Sequence, residues 1–292
     1  MMNGKAILGL VLIGAIAGFW WSAGGPGSSG ARSRISENFF EVVTPGESTN
    51  LPLVIRHRKS GMRLILVEPG SYQRGSPDSE PDRQRNEFLH DVSVDRPFYL
   101  AETELTCSEW RAITGEEPPT DQGEPSASAR FPVMGISWNR ARQLAEQFNA
   151  ETGSGWRLPT EVEWEYACRA GTTTAFSFGD RIDESLACMN GARPYPDGPK
   201  GESRDGPVEV ASYEPNPWGF YDLHGNLWEW CVDLYDPHPE RGEARVEKEG
   251  ASRVIRGGGF PAAGKRCRSA YRDGYPPSSP GEKYGVRLVY QP

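Results

Sequence analysis

Apolar and polar residues alternate along two stretches in the first third of the chain, a pattern that predicts β-strands. The segment at 62–76, MRLILVEPGSYQRGS, alternates on both sides of Pro69-Gly70 and predicts a hairpin that turns at this dipeptide. The segment at 90–106, HDVSVDRPFYLAETELT, returns to the same alternation. We therefore expect a sheet to contribute much of the core.

Two helices are predicted further along the chain. Ser137 caps a segment whose apolar residues recur at helical spacing, and Gly153 ends it. Thr160 and Glu163 have the spacing of a capping box, and Gly171 is placed to end the second helix. The chain beyond is rich in Gly, Pro and aromatic residues. The pattern predicts an α+β domain with little regular secondary structure.

The N-terminal segment differs from the rest of the chain. After Lys5 come sixteen uncharged, largely apolar residues, close to the roughly 17–25 that a spanning helix needs. Residues 1–21 are predicted to form a signal-anchor or transmembrane helix, residues 22–59 a flexible linker, and residues 60–292 the folded domain. We expect a membrane-anchored protein with its domain in the periplasm or outside the cell. The alternative is secretion after cleavage of a signal peptide.

Composition narrows the class of protein. The 292 residues are 37% hydrophobic with nine Trp, enough for a sizeable core, and the net charge is −8. The basic residues are scattered rather than clustered in a stripe, so we expect no nucleic-acid partner. Five cysteines without CxxC spacing argue against a zinc knuckle, while one or two disulfides are expected outside the cytoplasm. The cysteines are Cys107, Cys168, Cys188, Cys231 and Cys267.

Several long motifs occur in a recognisable order. They are FYLAETELTCSEW, FPVMGISWNRARQLAEQF, RLPTEVEWEYACRAG, NPWGFYDLHGNLWEWCVDLY and RVIRGGGF…CRSAYR…YGVRLV. Over residues 60–290 the chain resembles the formylglycine-generating (sulfatase-modifying factor) enzymes. The resemblance implies a variant C-type-lectin-like fold. It also implies an oxidase that converts a sulfatase cysteine to formylglycine with two copper-binding cysteines.

The copper ligands that the resemblance implies are missing from this chain. The first would lie near Ala262 and the second a few residues later, in AAGKR, and neither position is Cys. Copper(I) requires soft ligands such as thiolates, so we expect no copper. Cys267, between Arg266 and Arg268, is the remaining candidate catalytic thiol, because neighbouring cations lower a thiol pKa. The favoured alternative is that Cys267 packs in the core or forms a disulfide.

Two calcium sites are further implications of the resemblance. The first set of ligand positions falls on Asp222, Gly225, Leu227 and Glu229. Asp and Glu flanking a glycine turn suit an ion that binds oxygen, although the same carboxylates can simply cap a turn. A second site maps to Asn190 and Glu202, where the nearby Arg204 opposes a cation.

Related oxidases carry an iron site of three histidines. None of the four histidines here has the i, i+4 spacing of a helical metal pair, and they are expected in loops or at the surface, with the first of them in the linker. They are His57, His90, His224 and His238.

The sequence favours a non-catalytic function. We expect a binding or scaffold subunit of a membrane complex, attached through residues 1–21 and contacting protein partners through loops at 192–207, 236–250 and 271–284. The alternative is a formylglycine-generating-type or other metal-dependent oxidase with a rearranged site. That site would use Cys267 with Cys188 or Cys231.

Overall fold

The computed structural model describes residues 35–46, 51–119, 128–238 and 251–292. The predicted membrane or signal helix at 1–21 lies outside these residues. Within the ranges just given, no helix is both long and apolar enough to cross a membrane.

The largest sheet has six strands, and every neighbouring pair is antiparallel. In spatial order the strands are β1 (Phe40–Thr44), β2 (Val54–His57), β3 (Arg63–Val67), β6 (Phe98–Ala101), β12 (Val289–Tyr290) and β7 (Trp156–Arg157). The first strands of the domain thus share a sheet with β12, which pairs with β6 and β7.

Two smaller sheets complete the strand content of the described residues. One has the order β10 (Asp273–Tyr275), β9 (Arg253–Arg256), β8 (Trp228–Leu234) and β11 (Tyr284–Gly285), with β11 parallel to β8. The other pairs β4 (Gly70–Arg74) with β5 (His90–Val94).

The predicted hairpin at Pro69-Gly70 is wrong. β3 and β4 have the expected strand character, but β3 pairs with β2 and β6, while β4 pairs with β5. The turn directs the chain out of the large sheet and against a helix, where a Cβ atom at Gly70 would collide with the hydroxyl of Tyr166. A side chain at position 70 would therefore require Tyr166 to move.

Both predicted helices are confirmed, and a third accompanies them. The helices are α1 (Cys107–Thr114), α2 (Trp138–Thr152) and α3 (Glu161–Arg169). Ser137 caps α2, and the Thr160–Glu163 capping box begins α3. The sequence prediction missed α1, although Thr106 and Glu109 form a capping box of the same kind.

The predicted linker extends too far toward the domain. β1 and β2 fall inside the interval 22–59, and the side chains of Phe40, Ile55 and His57 are buried. The turn-forming residues that indicated a linker lie between two paired strands instead.

The core lies on both faces of the six-stranded sheet. On one face, Leu64 and Ile55 belong to the same buried cluster as Trp110 of α1 and Phe148 of α2. On the other face, buried residues of β3, β6 and β12 pack with Trp164 of α3. The loop between α3 and β8 closes over this second cluster. The candidate ion-binding residues lie in that loop, except Glu229, which lies in β8.

Candidate functional site

The loop leading into β8 has an unusual backbone at three positions. Asp222, Gly225 and Asn226 all have positive φ angles, of 60°, 116° and 59°. Non-glycine residues rarely adopt this region, and such positions cluster at functional sites. The loop is anchored where Gly225 N donates to the Gly257 carbonyl and Asn226 N to the Cys188 carbonyl, each at 2.8 Å.

Glu229, a predicted calcium ligand, is held by a buried arginine. Arg287 Nη2 donates to Glu229 Oε1 at 2.8 Å, and Arg287 Nε lies 3.0 Å from Oε2. Trp164 Nε1 donates to the same Oε2 at 2.7 Å. Bidentate arginine pairing of this kind is strong and geometrically specific.

A third carboxylate, which sequence reasoning missed, lies in the same cluster. Glu104 accepts hydrogen bonds from Asn226 Nδ2 at 2.5 Å and from Leu227 N at 2.8 Å. Burial raises the pKa of Glu104 well above its ordinary value, and the charges of Asp222 and Glu229 raise it further. Its only sequence signal was its place in the motif FYLAETELTCSEW.

The cluster carries more negative than positive charge. Burial raises the pKa of Asp222 to about 6. The hydrogen bond that its Oδ2 accepts from Ala211 N at 2.7 Å lowers this pKa but does not offset burial. The positive charge of Arg287 lowers the pKa of both Asp222 and Glu104, against the effect of burial. A buried carboxylate cluster with incomplete compensation disfavours the fully ionised state unless a cation joins it.

The donor set fits a hard divalent cation. Carboxylate and carbonyl oxygens are the ligands of calcium, and Asp222 and Glu229 lie close enough that the charge of Glu229 raises the pKa of Asp222. No three His, Cys, Asp or Glu side chains among the described residues converge as a ready-made metal site. An ion here would therefore draw on the carbonyls of Gly225 and Leu227, with Glu229 shared with Arg287.

The residues of the predicted second calcium site also lie together. Asn190 Oδ1 accepts from Ala192 N and from Ser203 Oγ, and Gly191 N donates to the Glu202 carbonyl. The Glu202 side chain is exposed, and its backbone N donates to Glu184 Oε2 at 2.6 Å. The amide of Asn190 is thus already engaged within its own loop.

The position assigned to the first copper ligand is part of the core. Ala262 is buried, its carbonyl accepts from Asn190 N, and its own N donates to the Gly259 carbonyl. A methyl group offers copper no electron pair, so the residues at this position do not fit that metal.

Cys267 is a buried thiol rather than an activated one. Burial raises its pKa to about 12 and outweighs the lowering effect of Arg266, in agreement with the favoured alternative that Cys267 packs in the core. Arg266 is exposed, and Arg268 is committed to a bidentate pair with Glu87 at 2.7–2.8 Å. A Cβ atom at Gly258 would lie only 2.5 Å from the Cys267 Sγ, which shows how closely the chain covers the thiol.

The other thiols of the alternative oxidase site have the same character. Burial raises the pKa of Cys188 to about 12 and that of Cys231 well above its ordinary value. Both cysteines, together with Cys168 and Cys267, are free and buried, and Cys107 is buried at the start of α1. The expected disulfides are not formed by these four residues.

Two of the four histidines are in the core, contrary to the sequence prediction. His57 lies in β2 with its side chain fully buried, and His224 accepts from Ser177 N at 3.0 Å through Nε2. The Nδ1 of His224 donates to the Cys267 carbonyl at 2.8 Å. His90 begins β5, and His238 is exposed in the segment after β8. No three histidines of the described residues form a metal site.

Comparisons with known proteins give a consistent result. A serine/threonine-protein kinase pkn1 of Chlamydia pneumoniae is 33% identical over 255 residues, covering 77% of this chain and 37% of the kinase. The formylglycine-generating enzyme of Streptomyces coelicolor is 31% identical over 198 residues, covering 62% and 60% of the two chains. The inactive C-alpha-formylglycine-generating enzyme 2 of Bos taurus is 34% identical over 162 residues, covering 54% and 50%. This chain thus matches only part of the length of each relative.

The fold is also shared with solved structures. PvdO from Pseudomonas aeruginosa superposes with a TM-score of 0.69 at 28% identity, covering 82% of this chain and 98% of PvdO. The family of sulfatase-modifying factor enzyme 1-like domains matches residues 52–292. The motifs, the sheet-rich fold with few helices and these matches agree, and the chain belongs to the sulfatase-modifying factor enzyme 1-like domain family.

Proposed function

We propose that this protein is a non-catalytic binding or scaffold subunit. The observation that carries the proposal is Ala262, a buried methyl group where the family's enzymes would place a copper-binding thiolate. The rearranged thiol site is disfavoured because burial raises the pKa of Cys267, Cys188 and Cys231, which leaves each as an unreactive thiol.

Overall similarity does not separate the two functions. The identity to an enzyme of the family, 31%, is close to the identity to a relative described as inactive, 34%. The chemistry of the site therefore supports the proposal more than the identity does. A stiff sheet-rich frame that presents loops suits recognition, and the loops at 192–207, 236–250 and 271–284 form the proposed face. Residues 239–250 lie outside the described structure.

The proposal is tested by an activity assay. The full chain is incubated with copper, oxygen and a peptide carrying the sulfatase cysteine motif, and the peptide is examined for an aldehyde by mass spectrometry. We expect none. A formylglycine product that is lost in a Cys267→Ala variant would establish the alternative oxidase.

The proposal extends to localisation. Residues 1–21 are a retained anchor, which places the domain on the outer side of the membrane, in the periplasm or outside the cell, within a membrane complex. Gly14 and Gly18, four residues apart, would permit close packing against another membrane helix, and the Trp20–Trp21 pair suits an interface. Mass spectrometry of the mature protein in membrane fractions tests this. A mature N-terminus near residue 24 in a soluble fraction would establish secretion instead.

Calcium is the proposed structural ion. Its ligands would be the side chains of Asp222 and Glu229 with the carbonyls of Gly225 and Leu227, and the ion would neutralise the excess charge around Glu104. A second, weaker site would use Asn190 and Glu202. The ion would hold the left-handed turns of the loop in place.

A further inference from the structure

The face of the six-stranded sheet that packs against Trp164 of α3 is covered at its centre and open at one end. A row of residues crosses this face in direct register, one from each of the five strands β1, β2, β3, β6 and β12: Thr44, Val54, Ile65, Leu100 and Val289. Leu100 and Val289 are fully buried, Ile65 and Val54 are partly exposed, and Thr44 is exposed. Packing against this face therefore stops before it reaches β1.

An open groove of about 560 Å³ occupies the uncovered end of this face. Its apolar lining includes Leu53, Val54, Ile65, Val67, Tyr166 and Trp218. Of these, Leu53 is 42% exposed. Contiguous exposed apolar surface in a soluble domain commonly marks a binding site.

The groove adjoins the edge of a sheet. Among the described strands, β1 pairs only with β2, and Thr44 of β1 lines the groove. An edge strand offers backbone groups to an added strand, and a groove beside it can accept alternate side chains of that strand. Backbone pairing and apolar burial are thus available side by side.

The charges around the groove disfavour anionic ligands. Its two charged lining residues are both acidic, Glu68 and Glu102. Among the described residues only Glu102 forms an ion pair, with Arg63 Nε at 2.7 Å. Glu68 is exposed at the rim. An acidic rim repels anionic lipid headgroups, and it equally opposes a second copy of a chain that carries a net charge of −8.

We propose that the groove and the β1 edge bind an extended segment of a partner protein. The segment places apolar side chains at alternate positions in the groove and a Lys or Arg opposite Glu68. The inference rests on the proposed scaffold function and specifies the chemistry of its partner. Its test does not depend on catalysis, so the two can fail separately.

The test uses defined peptides and the full chain. The probe is a fluorescent octapeptide of alternating Val and Lys, measured by anisotropy against octapeptides of alternating Val and Glu and of alternating Ser and Lys. We expect the Val/Lys peptide to bind at least tenfold more tightly than either. The Ser/Lys peptide controls for attraction between its lysines and the negative net charge of the chain. If the Val/Lys and Ser/Lys peptides bind equally tightly, the proposal is overturned.

Matched variants locate the binding. Leu53→Asp is expected to weaken Val/Lys binding at least tenfold, and Glu68→Lys at least threefold. The controls are Leu186→Asp, which changes an equally exposed leucine elsewhere (42%), and Glu146→Lys, which reverses an exposed charge on α2, against the opposite face of the sheet. Both should leave binding within twofold. Losses in the controls that match those in the groove variants would overturn the proposal.

Two further measurements test the other occupants. Flotation with phosphatidylglycerol vesicles and light-scattering mass are compared between the wild-type chain and Leu53→Asp. We expect no difference in either. Loss of vesicle binding in the variant would assign the groove to lipid, and a fall in mass from dimer to monomer would assign it to a second copy.

Discussion

Arg287 and Glu229, 58 residues apart in sequence, form a bidentate pair whose side chains are both almost completely buried. Arg287 also donates to the carbonyls of Ala101, Glu102 and Tyr221 at 2.8–3.0 Å. One guanidinium thus joins β8, the end of β6 and the segment before the candidate ion-binding loop.

Replacing Arg287 should therefore destabilise the fold strongly. Arg287→Met leaves Glu229 buried without its cation, and the free energy of unfolding is expected to fall by about 3–5 kcal/mol. The matched control is Arg63→Met, because Arg63 pairs with Glu102 near the surface and should cost only about 0–1 kcal/mol. Guanidinium denaturation measures both variants. Equal losses would contradict a special role for the buried pair.

Calcium should stabilise the domain through the Asp222 loop. At one hundred times its dissociation constant, a ligand that binds only the folded state adds about 2.7 kcal/mol. We expect a chelator to lower the melting temperature of the wild-type chain and to lower that of Asp222→Asn much less, because only the weaker site at Asn190 and Glu202 would remain. Asp197→Asn, at an exposed position, should retain the wild-type response. A wild-type melting temperature that is insensitive to chelator would refute the site.

The buried thiols should be inert in the folded protein. Because burial raises the pKa of Cys267 and Cys188 to about 12, few thiolates form at pH 8. Labelling with a maleimide should be at least a hundredfold slower at these residues in native buffer than in denaturant, as followed by peptide mass spectrometry. Rapid native labelling of Cys267 with a midpoint below pH 8 would indicate an activated thiol.

His224 should make stability fall in acid. Burial lowers its pKa to about 4, against an ordinary value near 6.5, so the unfolded chain binds the proton first as the pH falls. The stabilisation by neutral His224 is complete above about pH 6.5 and is lost progressively down to about pH 4. The shift corresponds to about 3 kcal/mol.

The effect of His224 is isolated by comparing how steeply the unfolding free energy changes with pH in the wild type and in a variant. Between pH 6.5 and 4.5, unfolding free energies of His224→Gln should fall less steeply than those of the wild type. His90→Gln serves as the control, since His90 lies near the surface and its Nδ1 bonds the Phe88 carbonyl. Identical slopes in the wild type and His224→Gln would show that this histidine does not control the acid response.

The helices were predictable because their signals are local. Ser137 and the Thr160–Glu163 pair satisfy backbone groups within one turn, so sequence alone places them correctly. The same signal at Thr106 was available and was missed because the segment before it alternates like a strand. The pairing of β3 and β4 was mispredicted because strand partners depend on packing far along the chain, here on Tyr166 against Gly70.

The candidate site was only partly predictable. The resemblance identified Asp222 and Glu229, and the structure places both in one charged cluster. Glu104 and Arg287 escaped notice because single charged residues ordinarily indicate surface, and burial of such groups depends on partners more than fifty residues away. The buried His57 was misplaced because neighbouring turn formers resembled a linker.

The position of β12 has a consequence for biosynthesis. Its two residues, Val289 and Tyr290, lie between β6 and β7, so the large sheet stays divided until they have left the ribosome. Until residue 290 has emerged, the edges of β6 and β7 that pair with β12 stay open, and exposed strand edges invite aggregation. A holding chaperone, or translocation before folding, would protect this interval.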